Sequence, residues 1–73
     1  MKKFKVDCGS LYAAKVLQET AVKYKKSFYS TKDKTIFFFN GHNLYYIDDI
    51  KEITDPQYEE ITFNEAILLM SYE

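Results

Sequence analysis

At 73 residues, 47% of them hydrophobic and 18% aromatic, the chain is too apolar to be disordered and too short to hold more than one domain, here residues 1–73. Its single cysteine excludes an internal disulfide, and no apolar run approaches the ~20 residues that a membrane-spanning helix needs. The net charge of −1 conceals a division, because residues 1–40 carry nine Lys against Asp7, Glu19 and Asp33, net +6, whereas residues 41–73 carry Lys51 against eight acids, net −7. Either the two halves lie side by side and neutralise each other, or they form separate basic and acidic faces for a charged partner or for head-to-tail self-association.

The first element is a strand. Phe4, Val6 and Cys8 alternate with Lys3, Lys5 and Asp7, the period of two that buries one face of a strand. Cys8 falls on the apolar side and reads as a small core residue rather than a nucleophile. The charged, alternating start after Met1 does not have the form of a secretory leader, so a cytoplasmic location is expected.

Gly9 breaks the strand, and Ser10 can cap a helix by accepting from an orphan amide of the first turn. From Leu11 to about Lys25 the period changes to 3.6, with Ala13, Ala14, Leu17, Thr20, Ala21 and Tyr24 on one face and Lys15, Gln18, Glu19 and Lys23 largely elsewhere. Small residues on that face let the helix approach a sheet closely. Val22 falls off the stripe and is expected to be exposed. A short strand follows around Ser27–Thr31, then a polar turn at Lys32-Asp33-Lys34. The Lys23–Lys32 segment, with Lys25, Lys26, Phe28 and Tyr29, also offers the lysine-aromatic alternation of a nucleic-acid surface. Lysines that protect a strand edge and complement a helix dipole give the same pattern.

The stretch from Thr35 to Asp48 is the most informative. Two aromatic-rich runs meet at Asn40-Gly41, a pair suited to a two-residue type I′ turn, and the expected pairing sets Phe39 opposite His42, Phe37 opposite Leu44, Phe38 opposite Asn43 and Ile36 opposite Tyr45. Ile47 lies beyond, on the side of Phe38. Both faces of this hairpin are apolar, unlike a half-buried antiparallel pair, so both should be covered. One long helix covers one face; the other needs the C-terminal helix, another subunit or a ligand. His42, with no second His and no Cys at ligand spacing, reads as a turn residue rather than a metal ligand or base.

Beyond Asp48-Asp49, residues Ile50–Ile53 form a brief irregular or extended piece, Asp55-Pro56 a turn, and Tyr58–Ile61 an extended segment. Thr62-Phe63-Asn64-Glu65 fits a capping box with Ile61 and Ala66 in the staple positions, predicting a short helix from Phe63 to about Ser71. The acids Asp48, Asp49, Glu52, Asp55, Glu59 and Glu60 lack the spacing of a calcium loop and read as a solvated rim.

This layout of Phe4-Lys5-Val6, Ser10 to Lys25, Phe28-Tyr29, Phe37 to Tyr46 and Tyr58 through Leu69 resembles small α+β accessory proteins encoded by bacteriophages and prophages. The class has no shared activity, so no functional residue is carried over. The resemblance implies a setting: a viral accessory protein acting in the cytoplasm of a bacterial host cell.

The expected fold is a small α+β domain in the order β-α-β-β-β-(β)-α, its antiparallel sheet centred on the hairpin Phe37–Tyr46, with one long helix across a face and a short C-terminal helix. No nucleophile, base and orienting group can be named, so an enzyme is not expected, and no cofactor or metal is implied. The leading expectation is a non-catalytic protein that binds and inhibits or sequesters a host component through an apolar, tyrosine-rich surface. Its candidate binding residues are Phe38, Tyr45, Ile36, Ile47, Tyr29, Lys25 and Lys26. A homo-oligomeric sponge for a small ligand such as a nucleotide is the first alternative, and nucleic-acid binding through Lys23–Lys32 the second.

Overall fold

The structure, a computed structural model, describes residues 2–26 and 33–72. The expected strand at Ser27–Thr31, with Phe28 and Tyr29, and Lys32 of the following turn lie outside the described residues. The elements run β1 (Phe4–Asp7), α1 (Leu11–Lys23), β2 (Ile36–Phe39), β3 (Leu44–Ile47), a 3-10 turn (Ile50–Glu52), β4 (Glu59–Ile61) and α2 (Phe63–Ser71). The protein is an α+β domain whose described residues form a four-stranded sheet in the order β3-β2-β1-β4. It differs from a purely antiparallel sheet at one edge, where β4 pairs parallel to β1 (Phe4 with Glu59, Val6 with Ile61).

Local chemistry sets the helix ends. Ser10 Oγ accepts from Ala13 N–H at 3.1 Å and opens α1. The helix stops two residues earlier than its periodicity suggests. Tyr24 is the C-cap, Lys25 turns to φ 60°, and Lys25 and Lys26 donate their amides to the carbonyls of Val22 and Ala21. That is a Schellman arrangement with a lysine in the left-handed position usually given to glycine. α2 has the predicted bounds and box: Thr62 Oγ1 accepts from Glu65 N–H, and Glu65 Oε1 accepts from Thr62 N–H.

The core lies between the sheet and the two helices. Phe4 and Val6 of β1, Phe37 and Phe39 of β2, Leu44 of β3 and Ile61 of β4 form one buried cluster with Ala14, Leu17 and Ala21 of α1 and Ala66 and Met70 of α2. Phe4 and Phe39 stack with ring centroids 5.3 Å apart. The alanines bring the helices close to the strands and to each other, since a Cβ is all that separates the backbones there. Gln18 also faces inward, contrary to its polar character, and donates from Nε2 to Ala14 O at 3.3 Å. Val22 is exposed, as its place off the stripe predicts.

The hairpin keeps its expected faces but not its register. Phe39 pairs with Leu44, Phe38 with Tyr45, Phe37 with Tyr46 and Ile36 with Ile47, two residues away from the expected pairing. The cause is Asn40, whose Oδ1 accepts from both His42 N–H and Asn43 N–H, so its side chain organises the turn from the first position. Gly41, at φ 99°, then supplies the positive φ as the first central residue, and His42 needs none. A slip of two residues leaves every side chain on its original face.

Candidate functional site

Both helices lie on the same side of the sheet, so α2 does not cover the second face of the hairpin. That face carries Ile36 and Phe38 from β2, Tyr45 and Ile47 from β3, and Lys3, Lys5 and Asp7 from or beside β1. Cross-strand register sets them in rows: Glu60, Lys5, Phe38 and Tyr45 follow one another across the sheet, and Asp7, Ile36 and Ile47 form the next row. Four of the seven residues expected at a binding surface, Phe38, Tyr45, Ile36 and Ile47, are thereby brought together, each of them half-buried.

Aromatic packing organises the centre of the face. Phe38 and Tyr45 stack with centroids 5.4 Å apart, and Tyr58 meets Phe38 edge-on at 5.9 Å. Lys3 Nζ lies 5.6 Å from the Tyr58 ring centroid and donates to Gln57 Oε1 at 3.0 Å. Lys5 Nζ donates to Ile53 O at 2.8 Å. Tyr58, Lys3 and Lys5 were not among the residues expected here. Tyr58 joins the cluster because the link from β3 to β4 passes across this face of the sheet, a long-range fact with no local sequence signal.

Lys25 and Lys26 lie elsewhere. Lys25 is exposed at the left-handed cap of α1, and Lys26 is held through its backbone, its carbonyl accepting from Leu44 N–H at 2.7 Å beside β3. Lys23 Nζ sits 5.5 Å from the ring centroid of Tyr24. Tyr29 lies outside the described residues.

Charge from the two halves meets at the strand ends. Lys2 pairs with Glu59, and Lys34 Nζ with Asp48 Oδ1 at 2.7 Å, while Lys34 also lies 5.5 Å from the Tyr46 ring centroid. The Asp48 hydrogen bond holds the Lys34 ammonium above its ordinary range. The acids around residue 50 are occupied with backbone instead: Glu52 Oε2 accepts from Asp48 N–H and Asp49 N–H, Asp49 Oδ1 from Lys51 N–H, and Asp55 Oδ1 from Gln57 N–H. These bonds shape the loop between β3 and β4.

Cys8 packs against the core, where burial, with Asp7 beside it, pushes the thiol up to about 11 and keeps it protonated at neutral pH. Outside the sheet face, Leu11, Tyr12 (79%) and Leu68 (69%) are exposed on the helices, and Tyr72 (89%), the C-cap of α2, is exposed four residues beyond Leu68. No helix among the described residues is long and apolar enough to cross a membrane. Compared with known proteins, the chain matches no family model, no curated protein and no solved structure, so the arrangement of this face carries the functional reading by itself.

Proposed function

We propose that the protein acts by binding: it engages a partner protein on the sheet face of Phe38, Tyr45, Ile36 and Ile47 and thereby inhibits or sequesters it, as an accessory protein of bacteriophage type in the cytoplasm of a bacterial host. The observation that supports this reading is a stacked aromatic cluster left half-exposed beside a core already complete without it. Tyrosine and phenylalanine offer large contact areas with few rotatable bonds to freeze, and Lys3, Lys5 and Glu60 form a polar rim around them. Capture from a bacterial lysate with tagged protein tests the assignment when variants are compared. Phe38→Ala and Tyr45→Ala should each weaken recovery of the captured protein at least tenfold, about 1.4 kcal/mol, while Lys15→Ala on α1 leaves it unchanged. Equal recovery by all three variants would place the contact elsewhere.

A second reading is favoured by Leu68 of α2 and its C-cap Tyr72, both exposed. These residues suit association with a second copy, as in a homo-oligomeric sponge for a small ligand such as a nucleotide. Molar mass in solution separates the two readings: a monomer that Leu68→Ser leaves unaltered removes the oligomeric one.

A further inference from the structure

The link between β3 and β4 joins opposite edges of the sheet, as the order β3-β2-β1-β4 requires, and, because these two strands run in the same direction, it also returns along the length of the sheet. It must therefore cross the sheet, and it does so over the face that the helices leave open. Between Leu44 and Ile61 no residue is buried. The crossing segment is nevertheless ordered by its own hydrogen bonds: the Asp49–Glu52 capping box around the 3-10 turn, and the Asp55 turn, in which Tyr58 N–H donates to Asp55 O at 3.0 Å. What ties it to the sheet is sparse. Lys5 Nζ reaches Ile53 O, Lys3 Nζ reaches Gln57 Oε1 and lies over the Tyr58 ring, that ring rests against Phe38, and Lys34 Nζ pairs with Asp48 at the segment's first residue.

We propose that residues 48–58 are a detachable strap that lifts from the sheet as a preformed unit while the helix-covered core stays folded, with Lys5 as its principal latch. Its ends are fixed roughly 17 Å apart, three strand spacings across and about 10 Å along the sheet. The same residues would extend to about 36 Å if straightened, about twice the gap, so even with its two turns kept the strap has slack to bow outward without unpairing either flanking strand. Its internal hydrogen bonds move with it. Lifting breaks the Lys5 and Lys3 hydrogen bonds, the contacts of the Tyr58 ring with Phe38 and Lys3 and, at the strap's first residue, the exposed Lys34–Asp48 pair, and such sparsely anchored segments open far more readily than a core. The open form uncovers the whole Phe38–Tyr45 row and releases two ammonium groups beside it.

Relaxation-dispersion NMR on the full chain tests the strap without any partner, so its outcome is separate from that of the binding assay. Wild-type protein should show exchange at Ile53, Gln57 and Tyr58 and at the rings of Phe38 and Tyr45, all with one rate constant. Lys5→Met, which keeps the apolar stem and removes the donor, should raise the open population at least fivefold, with Leu17 and Met70 unaffected. Gln57→Ala should raise it less. Dispersion that Lys5→Met does not change, or that spreads equally to Leu17 and Met70, would overturn the proposal, the second outcome because it reports unfolding of the whole domain.

Discussion

Phe39 and Phe38 are neighbours in β2, and each stacks on a cross-strand aromatic at nearly the same distance: 5.3 Å to Phe4 for one, 5.4 Å to Tyr45 for the other. Phe39 is sealed beneath two helices, however, and Phe38 lies half-exposed beneath a loop. A ring pair contributes about 0.5–1.5 kcal/mol in either place. The difference lies in the apolar area withdrawn from water, which contributes about 25 cal/mol per Å² and scales with how completely each side is covered. One face of this sheet therefore holds the domain together, and the other is aromatic surface that the fold can spare.

Substitutions can break that comparison. Phe39→Ala should cost about 3–5 kcal/mol, which in a domain this small approaches its whole stability. Phe38→Ala should cost about 1–2 kcal/mol, because less of its surface leaves water on folding. Urea midpoints with unchanged slope measure both, and equal losses would show that the strap side is core as well.

Smaller changes sharpen the helix-covered side. Thr62→Ala removes the cap of α2 and should cost about 1 kcal/mol. Its effect should depend on pH, since the Thr62 amide and hydroxyl both donate to Glu65 and hold that carboxyl below its ordinary range. A depressed folded-state pKa stabilises above the unfolded value, here 4.5, and that stability is lost as pH falls through the folded value. Wild type should thus lose stability on acidification more steeply than Thr62→Ala, as thermal melts between pH 6 and 3 would show. The smallest effect has the opposite sign. Lys25→Gly relieves a positive φ at the end of α1 and should raise stability by about 0.5–1 kcal/mol, whereas Lys25→Val should lower it.

Elements written in short-range chemistry were legible residue by residue. The capping box Thr62-x-x-Glu65 placed the start of α2, Ser10 placed the start of α1, and alternation placed Phe4 and Val6 in the core. The division of the hairpin into a Phe37/Phe39 face and a Phe38/Tyr45 face followed from the strand period of two. The pairing slipped because Asn40 has two ways to build a turn, by adopting positive φ itself or by capping the next amides with its side chain, and the dipeptide does not distinguish them. Gln18 misled for a related reason: a polar side chain can be buried once a carbonyl one turn away accepts its hydrogen bond.

Secondary structure, the inward faces and the α+β class were thus contained in the chain itself, because capping and periodicity act over three or four residues. Tertiary structure alone decided that β4 joins the far edge in parallel, that both helices share one side, and that residues 48–58 cross the other. Those outcomes depend on contacts between residues as distant as Lys5 and Ile53, where no local preference operates and the cost of closing a long loop is balanced only when the whole sheet forms.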